Sequence, residues 1–125
     1  MFFKKKDTKK EVKEEVVESY DDLIQEATTL VETLDTLQGD ARIDVLDQIG
    51  ICYFKAKEYD QAQTYLEQSL QEKRAVAQGY RTLLNLYNIR RKEAAIAKDD
   101  LRLQYYLDKI DEMMKISKEV LRSNL

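Results

Sequence analysis

The side chains that most often carry out enzymatic chemistry are scarce in this sequence. It contains no histidine and a single cysteine, Cys52, among 125 residues. Without histidine there is neither a Ser-His-Asp triad nor the carboxylate–histidine di-metal motif of helical bundles. The sequence also lacks a CxxC pair, a phosphate-binding glycine loop and a dinucleotide fingerprint. We therefore expect a protein that is not an enzyme and that has no cofactor and no metal site.

Charged residues are abundant but unevenly distributed. The 24 acidic and 21 basic side chains leave a net charge of -3. Residues 1–10 are basic, residues 11–40 are strongly acidic, and the rest of the chain is mildly basic. Carboxylates in such numbers indicate a solvated helix face rather than a pair of catalytic carboxylates. Cys52 stands among the apolar residues of a predicted helix, so we expect it to be a small buried hydrophobe.

The composition predicts an all-α fold in one domain. There is no proline and there are only three glycines, whereas 43% of the residues are hydrophobic. Such a sequence favours long helices and has few breakers. No apolar run is long enough for a signal peptide or a membrane span, which predicts a cytoplasmic protein. We expect residues 1–8 to be a disordered basic start and residues 9–125 to form the domain.

A first helix is predicted over residues 9–38. Thr8 and Glu11 have the spacing of a capping box, and Gly39 and Asp40 can end this helix and cap the next one. One face of the predicted helix is acidic. The other is a wide apolar stripe of Val16, Val17, Tyr20, Leu23, Ile24, Ala27, Leu30, Val31, Leu34 and Leu37.

A helical hairpin is predicted over residues 41–72, with helices at 41–56 and 59–72 that turn back at Lys57 and Glu58. The spacing of its residues resembles the tetratricopeptide repeat, a helical hairpin of about 34 residues. Two positions depart from that pattern: Lys57 stands where the family often has glycine, and Arg74 where it usually has proline. The residues that carry the resemblance are Leu46, Ile49, Gly50, Tyr53, Tyr59, Ala62, Leu66 and Ser69.

The resemblance implies a superhelix of antiparallel hairpins, with about five helices in this chain. It implies that the two helices of the first hairpin cross at Gly50 and Ala62, where a larger side chain would force them apart. A second, degenerate and elongated hairpin is expected over residues 75–123, with its turn at residues 98–100 and an Asp as the cap of the last helix. The alternative is one unbroken helix from about residue 75 to residue 122.

By the same resemblance, the first helix of each hairpin lines a concave groove that holds a peptide or a helix of another protein. The groove would have one acidic and one basic wall. The alternative is an ordinary solvated polar face. The candidate groove residues are Asp44, Asp47, Ile51, Phe54 and Lys55 on one helix, and Gln78, Arg81, Asn85, Asn88 and Lys92 on the other.

The expected function is that of a non-catalytic adaptor or scaffold for protein–protein interaction, with the helix at residues 9–38 covering the exposed side of the first hairpin. The main alternative is a self-associating subunit, such as a homodimer, in which the first or last helix pairs between chains. Nucleic-acid binding through residues 90–92, 73–74 and the basic start is disfavoured by the acidic first helix. Membrane attachment is disfavoured beyond weak contact by residues 1–10.

Overall fold

The computed structural model describes residues 19–124, and that part of the chain folds into five α-helices with no strand. The predicted all-α fold is confirmed. We number the helices α1 to α5, and a short 3-10 helix, Leu34–Thr36, follows α1. The α-helices are Tyr20–Thr33, Gly39–Lys55, Tyr59–Glu72, Gln78–Ile96 and Asp100–Ser123.

Two helices begin at side chains that satisfy the amides of the first turn. The Ser19 hydroxyl accepts a hydrogen bond from the Asp22 amide at 3.1 Å, and the Asp99 carboxylate accepts one from the Arg102 amide at 3.2 Å. Asp99 is thus the expected cap of the last helix. Ser19 has extended backbone, so the prediction of one continuous helix over 9–38 is wrong. The predicted capping box at Thr8 and the start 1–8 lie outside the described residues.

The chain turns back twice in the same way, at residues 56–58 and at residues 97–99. Lys57 and Lys98 both have left-handed backbone, with φ of 62° and 56°. The next amide closes each turn, because Glu58 donates to the Tyr53 carbonyl and Asp99 to the Ala94 carbonyl, both at 2.9 Å. The expected turn after α4 is confirmed, and the alternative of one unbroken helix is wrong.

The boundary between α1 and α2 differs in part from the prediction. Gly39 has the expected left-handed backbone, with φ of 63°. The α-helical part of α1 nevertheless ends at Thr33, and α2 already begins at Gly39. Asp40 is not a helix cap: it lies in the first turn of α2, and its carboxylate pairs with Lys73 on the far side of the hairpin.

The apolar core consists of two clusters. The first joins α1 to α2 and contains Ala27, Leu34, Leu46, Ile49 and Cys52. The second joins α3, α4 and α5 and contains Ala62, Leu66, Tyr80, Leu83, Leu86, Tyr87, Tyr106 and Met113. Tyr53 packs against both clusters. Cys52 is buried, as expected, with 7% of its surface exposed.

Helix α1 packs on α2 within the same chain, as expected for a covering helix. Leu23 and Ala27 are buried, whereas the acidic residues Asp21, Asp22 and Glu26 are exposed. Arg42 of α2 fixes the end of the covering segment, because its guanidinium donates to the Leu34 carbonyl at 3.2 Å and pairs with Glu72 at 2.8 Å.

Gly50 of α2 is in tight contact with α3. A Cβ built on Gly50 would lie 2.5 Å from Cδ2 of Leu66, and still nearer to its Cγ. Ala62 is fully buried, but it does not provide the atoms nearest to Gly50. The missing side chain at Gly50 thus leaves room for Leu66, and the crossing of the two backbones at Gly50 and Ala62 stays a prediction.

We expect Gly50→Ala to destabilise the fold by about 1–2 kcal/mol, since overpacking costs roughly 1–3 kcal/mol and removing a helical glycine returns up to about 1 kcal/mol. Urea unfolding measures this. In the double variant Gly50→Ala/Leu66→Ala the new methyl group occupies space left by Leu66. The double variant should therefore lose less stability than the sum of the losses in the two single variants. Strictly additive losses would contradict the assigned contact.

We expect Lys57→Gly to raise the free energy of unfolding by about 0.5–1 kcal/mol, because glycine avoids the steric cost of left-handed backbone. Lys57→Ala is the matched control, since alanine keeps that cost while removing the same charged side chain. Thermal unfolding compares the two variants. Equal melting temperatures would show that the backbone of Lys57 is not strained.

Candidate functional site

The first helices of the two hairpins, α2 and α4, contact each other directly. The carboxylate of Asp47 on α2 lies against the backbone of Gly79 on α4. A Cβ on Gly79 would be 2.7 Å from one Asp47 carboxylate oxygen and nearer still to the other. The absence of a side chain at Gly79 therefore allows this carboxylate to sit between the helices.

A cleft of about 280 Å³ opens beside this contact, between α2, the end of α3 and the start of α4. Two of the predicted groove residues, Asp44 and Asp47, line it. The other eight predicted groove residues are not among its lining. The remaining lining residues are Asp40, Ile43, Leu66, Ser69, Leu70, Lys73, Ala75, Ala77 and Tyr80.

Asp47 is a carboxyl group of this cleft whose pKa is raised by its surroundings. Burial raises the pKa of Asp47, and the nearby charge of Asp44 raises it further, against a hydrogen bond from Ser69 that lowers it. Ser69 is itself buried, with 5% of its surface exposed. The small residue that the repeat pattern places at position 69 thus also binds an acidic side chain of the facing helix.

The mouth of the cleft carries one ion pair and one carboxylate without such a pair. Asp40 and Lys73 are 2.7 Å apart. The hydrogen bond from Lys73 lowers the pKa of Asp40, and the hydrogen bond to Asp40 raises the pKa of Lys73. Within the described residues Asp44 forms no ion pair, and it is exposed. Asp44 is therefore the carboxylate available to a bound cation or amide.

Some candidate residues of α4 are exposed to solvent, and one forms a hydrogen bond within its own helix. Gln78, Arg81, Asn85 and Lys92 are exposed. Between residues 19 and 124, neither Arg81 nor Lys92 has an ion-pair partner. Asn88 is half-buried, and its amide donates to the Leu84 carbonyl of its own helix at 3.1 Å. Of the two asparagines, Asn85 is the one whose amide faces solvent.

The remaining candidates of α2 are also mixed. Lys55 is exposed and Ile51 is half-buried. Phe54 is half-buried because it packs within the hairpin, where its ring centroid is 5.6 Å from that of Tyr59. Phe54 therefore contributes to the packing of the hairpin.

The basic residues considered for nucleic acid are largely engaged inside the molecule. Arg90 pairs with Asp60 at 2.8 Å and lies 5.4 Å from the centroid of the Tyr59 ring. Lys73 pairs with Asp40, and Arg74 pairs with Glu119. These contacts reduce the charge that the segments 73–74 and 90–92 could offer to phosphate.

A second cleft, of about 320 Å³, lies between α3, α4 and α5. Its apolar lining includes Leu70, Leu83, Met113 and Ile116. At its edge the Tyr87 hydroxyl donates to the Glu67 carboxylate. Burial, followed by this bond, raises the pKa of Tyr87 far above its ordinary value. The hydroxyl therefore stays protonated and holds α3 to α4.

Sequence reasoning missed the contact of Gly79 with Asp47 and the cleft that opens beside it. The available signal was a third glycine in the first turn of a predicted helix, where backbone freedom alone does not require one. The identity of its neighbour could not be inferred, because Asp47 lies 32 positions earlier in the chain. The ion pair of Asp40 with Lys73 could not be inferred either, because these two residues meet only in the folded chain.

Within residues 19–124, no group of three or more Cys, Asp or Glu side chains is placed to hold a metal ion. None of the described helices combines the length and the apolar character needed to cross a membrane.

The chain was compared with protein-family models, with curated proteins and with solved structures, and none of the three comparisons returned a match.

We expect the stabilising contribution of Asp47 to be largest at low pH. Because burial raises its pKa in the folded state, the folded protein binds the proton more tightly than the unfolded chain does. Wild-type stability relative to Asp47→Asn should therefore fall as pH rises from the ordinary value of 3.8 through the raised pKa. Thermal unfolding between about pH 3.5 and 7 measures this.

Glu26→Gln serves as the control, because it removes an exposed carboxylate from α1 without touching the cleft. A stability difference between wild type and Asp47→Asn that stays constant over this pH range would show that Asp47 is not shifted by its surroundings.

Proposed function

We propose that this protein is a non-catalytic adaptor of the tetratricopeptide-repeat type, which holds a peptide or helix of a partner protein along α2 and α4 in the cytoplasm. One observation carries the proposal. Helix α4 exposes two cations, Arg81 and Lys92, that have no ion-pair partner among the described residues, and the cleft at the start of the same helix exposes Asp44.

The packing of the first hairpin supports the repeat assignment. Six of the eight residues that carry the resemblance are buried: Leu46, Ile49, Gly50, Ala62, Leu66 and Ser69. The left-handed backbone of Lys57 also agrees, because the family often has glycine at that position. The direct contact between α2 and α4 is what a stack of hairpins requires.

The dimensions of the α4 face favour an extended ligand. Arg81 and Lys92 are 11 positions apart on one helix face, which corresponds to roughly 16 Å. An extended peptide covers that distance with about five residues. Asn85 lies between the two cations, and its amide can both donate to and accept from a peptide backbone. A ligand that extends into the cleft would meet the negative charge of Asp44 there.

The test is selection from a phage-displayed library of random peptides on the immobilised full chain. We expect the selected peptides to carry acidic residues about five positions apart. Their affinity should fall at least about tenfold for Arg81→Glu/Lys92→Glu. Arg102→Glu is the matched control, because Arg102 is exposed on α5 and has no ion-pair partner within residues 19–124.

The selection also has a clear negative result. Peptides that bind the double variant and the wild type equally well would place the binding site elsewhere. Failure to enrich any peptide above the bare support would argue against a peptide-binding groove on α2 and α4.

A further inference from the structure

Helix α5 exposes a row of large apolar side chains. Leu107, Met114 and Leu121 are 42%, 53% and 62% exposed. They are seven residues apart, so they follow one line along the helix over roughly 21 Å. We call these three residues the apolar row of α5. The row borders the buried side of the helix, where Tyr106 and Met113 pack against α4.

Exposed apolar residues are concentrated on this helix. Five of the eight large hydrophobic residues that are exposed in the described chain belong to α5: Leu101, Tyr105, Leu107, Met114 and Leu121. Helix α5 is the last helix of the described chain. Its backbone lies against α4, and its buried side also reaches α3, where the Tyr106 hydroxyl donates to the Gln63 side chain at 3.4 Å. Three of the five exposed residues form the apolar row, and a contiguous exposed apolar surface marks an interaction site more often than scattered residues do.

The charges beside the apolar row are divided by Met114 into two halves of opposite sign. Asp108 and Asp111 precede it, and Lys115, Lys118 and Arg122 follow it. None of these five forms an ion pair among the described residues. The other charged residues near the middle of α5 are engaged, because Lys109 pairs with Glu112, and Glu119 with Arg74.

We propose that the apolar row is the contact surface for a second copy of this chain, whose α5 runs antiparallel about a two-fold axis at Met114. In this arrangement Leu107 faces the partner's Leu121, and Met114 faces the partner's Met114. Asp111 lies beside the partner's Lys118, and Asp108 beside the partner's Arg122. Each acidic half therefore meets a basic half, on both sides of the axis.

Charge decides the direction of the two helices. A parallel two-fold pair would also bring the apolar rows together, but it sets the charged flank of each helix against the opposite flank of its partner, so Asp111 and Lys118 do not meet. In the antiparallel pair the same flanks meet, and Asp111 gains the partner's Lys118 as a neighbour of opposite charge. The sequence of α5 therefore specifies both the partner and its orientation.

This surface is separate from the proposed peptide groove, which lies on α2 and α4, so each proposal can fail without the other. A helix pair of about four turns buries less surface than a standard protein interface, so we expect a dissociation constant in the micromolar range.

Sedimentation equilibrium of the full chain from about 1 to 500 μM tests the proposal. We expect a reversible monomer–dimer equilibrium that Met114→Asp weakens by at least about a hundredfold. Leu101→Asp is the matched control: Leu101 is 87% exposed on the same helix but outside the apolar row, so this variant should dimerise like the wild type. Circular dichroism verifies that both variants remain folded.

A charge exchange tests the orientation. Asp111→Lys alone places lysines opposite the partner's Lys118, and Lys118→Asp alone places two aspartates together. Each should weaken the dimer, and Asp111→Lys/Lys118→Asp should restore it. Failure of the double variant to recover, with both single variants weakened, would overturn the antiparallel pairing.

The remaining outcomes would contradict a dimer formed through the apolar row. A wild-type chain that stays monomeric at the highest concentration overturns the proposal. If removal of residues 1–18 then produces a dimer that Met114→Asp abolishes, the row is covered by the chain's own start. A dimer that is unaffected by Met114→Asp would place the interface elsewhere.

Discussion

The Leu66 side chain lies so close to the backbone of Gly50 that a Cβ there would overlap it. This contact limits residue 50 to glycine while α2 and α3 stay packed, and the candidate site lies next to it. One turn further along α3, Ser69 reaches the carboxylate of Asp47 on α2. That carboxylate in turn rests on Gly79 and so sets the position of α4. Two glycines, one leucine and one aspartate thus determine how the three helices lie together.

The second hairpin is longer than the first but keeps the same spacing of its packed residues. Tyr80, Leu83 and Tyr87 follow Leu46, Ile49 and Tyr53 by 34 positions, whereas the turn at Lys98 follows that at Lys57 by 41. The difference of seven residues is nearly two helical turns, so the buried face of α4 stays aligned. The added length lets α4 carry exposed residues as far as Lys92 and brings α5 to 24 residues.

Much of this fold could be read from the sequence because its signals are local. The bounds of α3 were predicted correctly, since the turn at Lys57 and Glu58 separates two strongly periodic segments. The cap at Asp99 is likewise a short-range signal. Gly79, Asp40 and the neighbour of Gly50 could not be predicted, because each depends on a residue about 16 or more positions away.

The candidate site was less predictable than the fold. A polar residue at a groove position can face solvent, as Asn85 does, or be engaged by its own helix, as Asn88 is. Spacing alone does not separate the two cases. Phe54 is a similar example, because its contact with Tyr59 became visible only in the folded hairpin.

Tyr53 packs against both apolar clusters, but the clusters belong to different ends of the row of helices, which has a mechanical consequence. In a row of helices much of the stability comes from contacts between neighbours, so an end helix can open locally while the middle stays folded. Within residues 19–124, α1 packs mainly on α2 and on the short 3-10 helix and forms one such end. Opening of α1 would therefore expose the first apolar cluster while α3, α4 and α5 stay packed around the second.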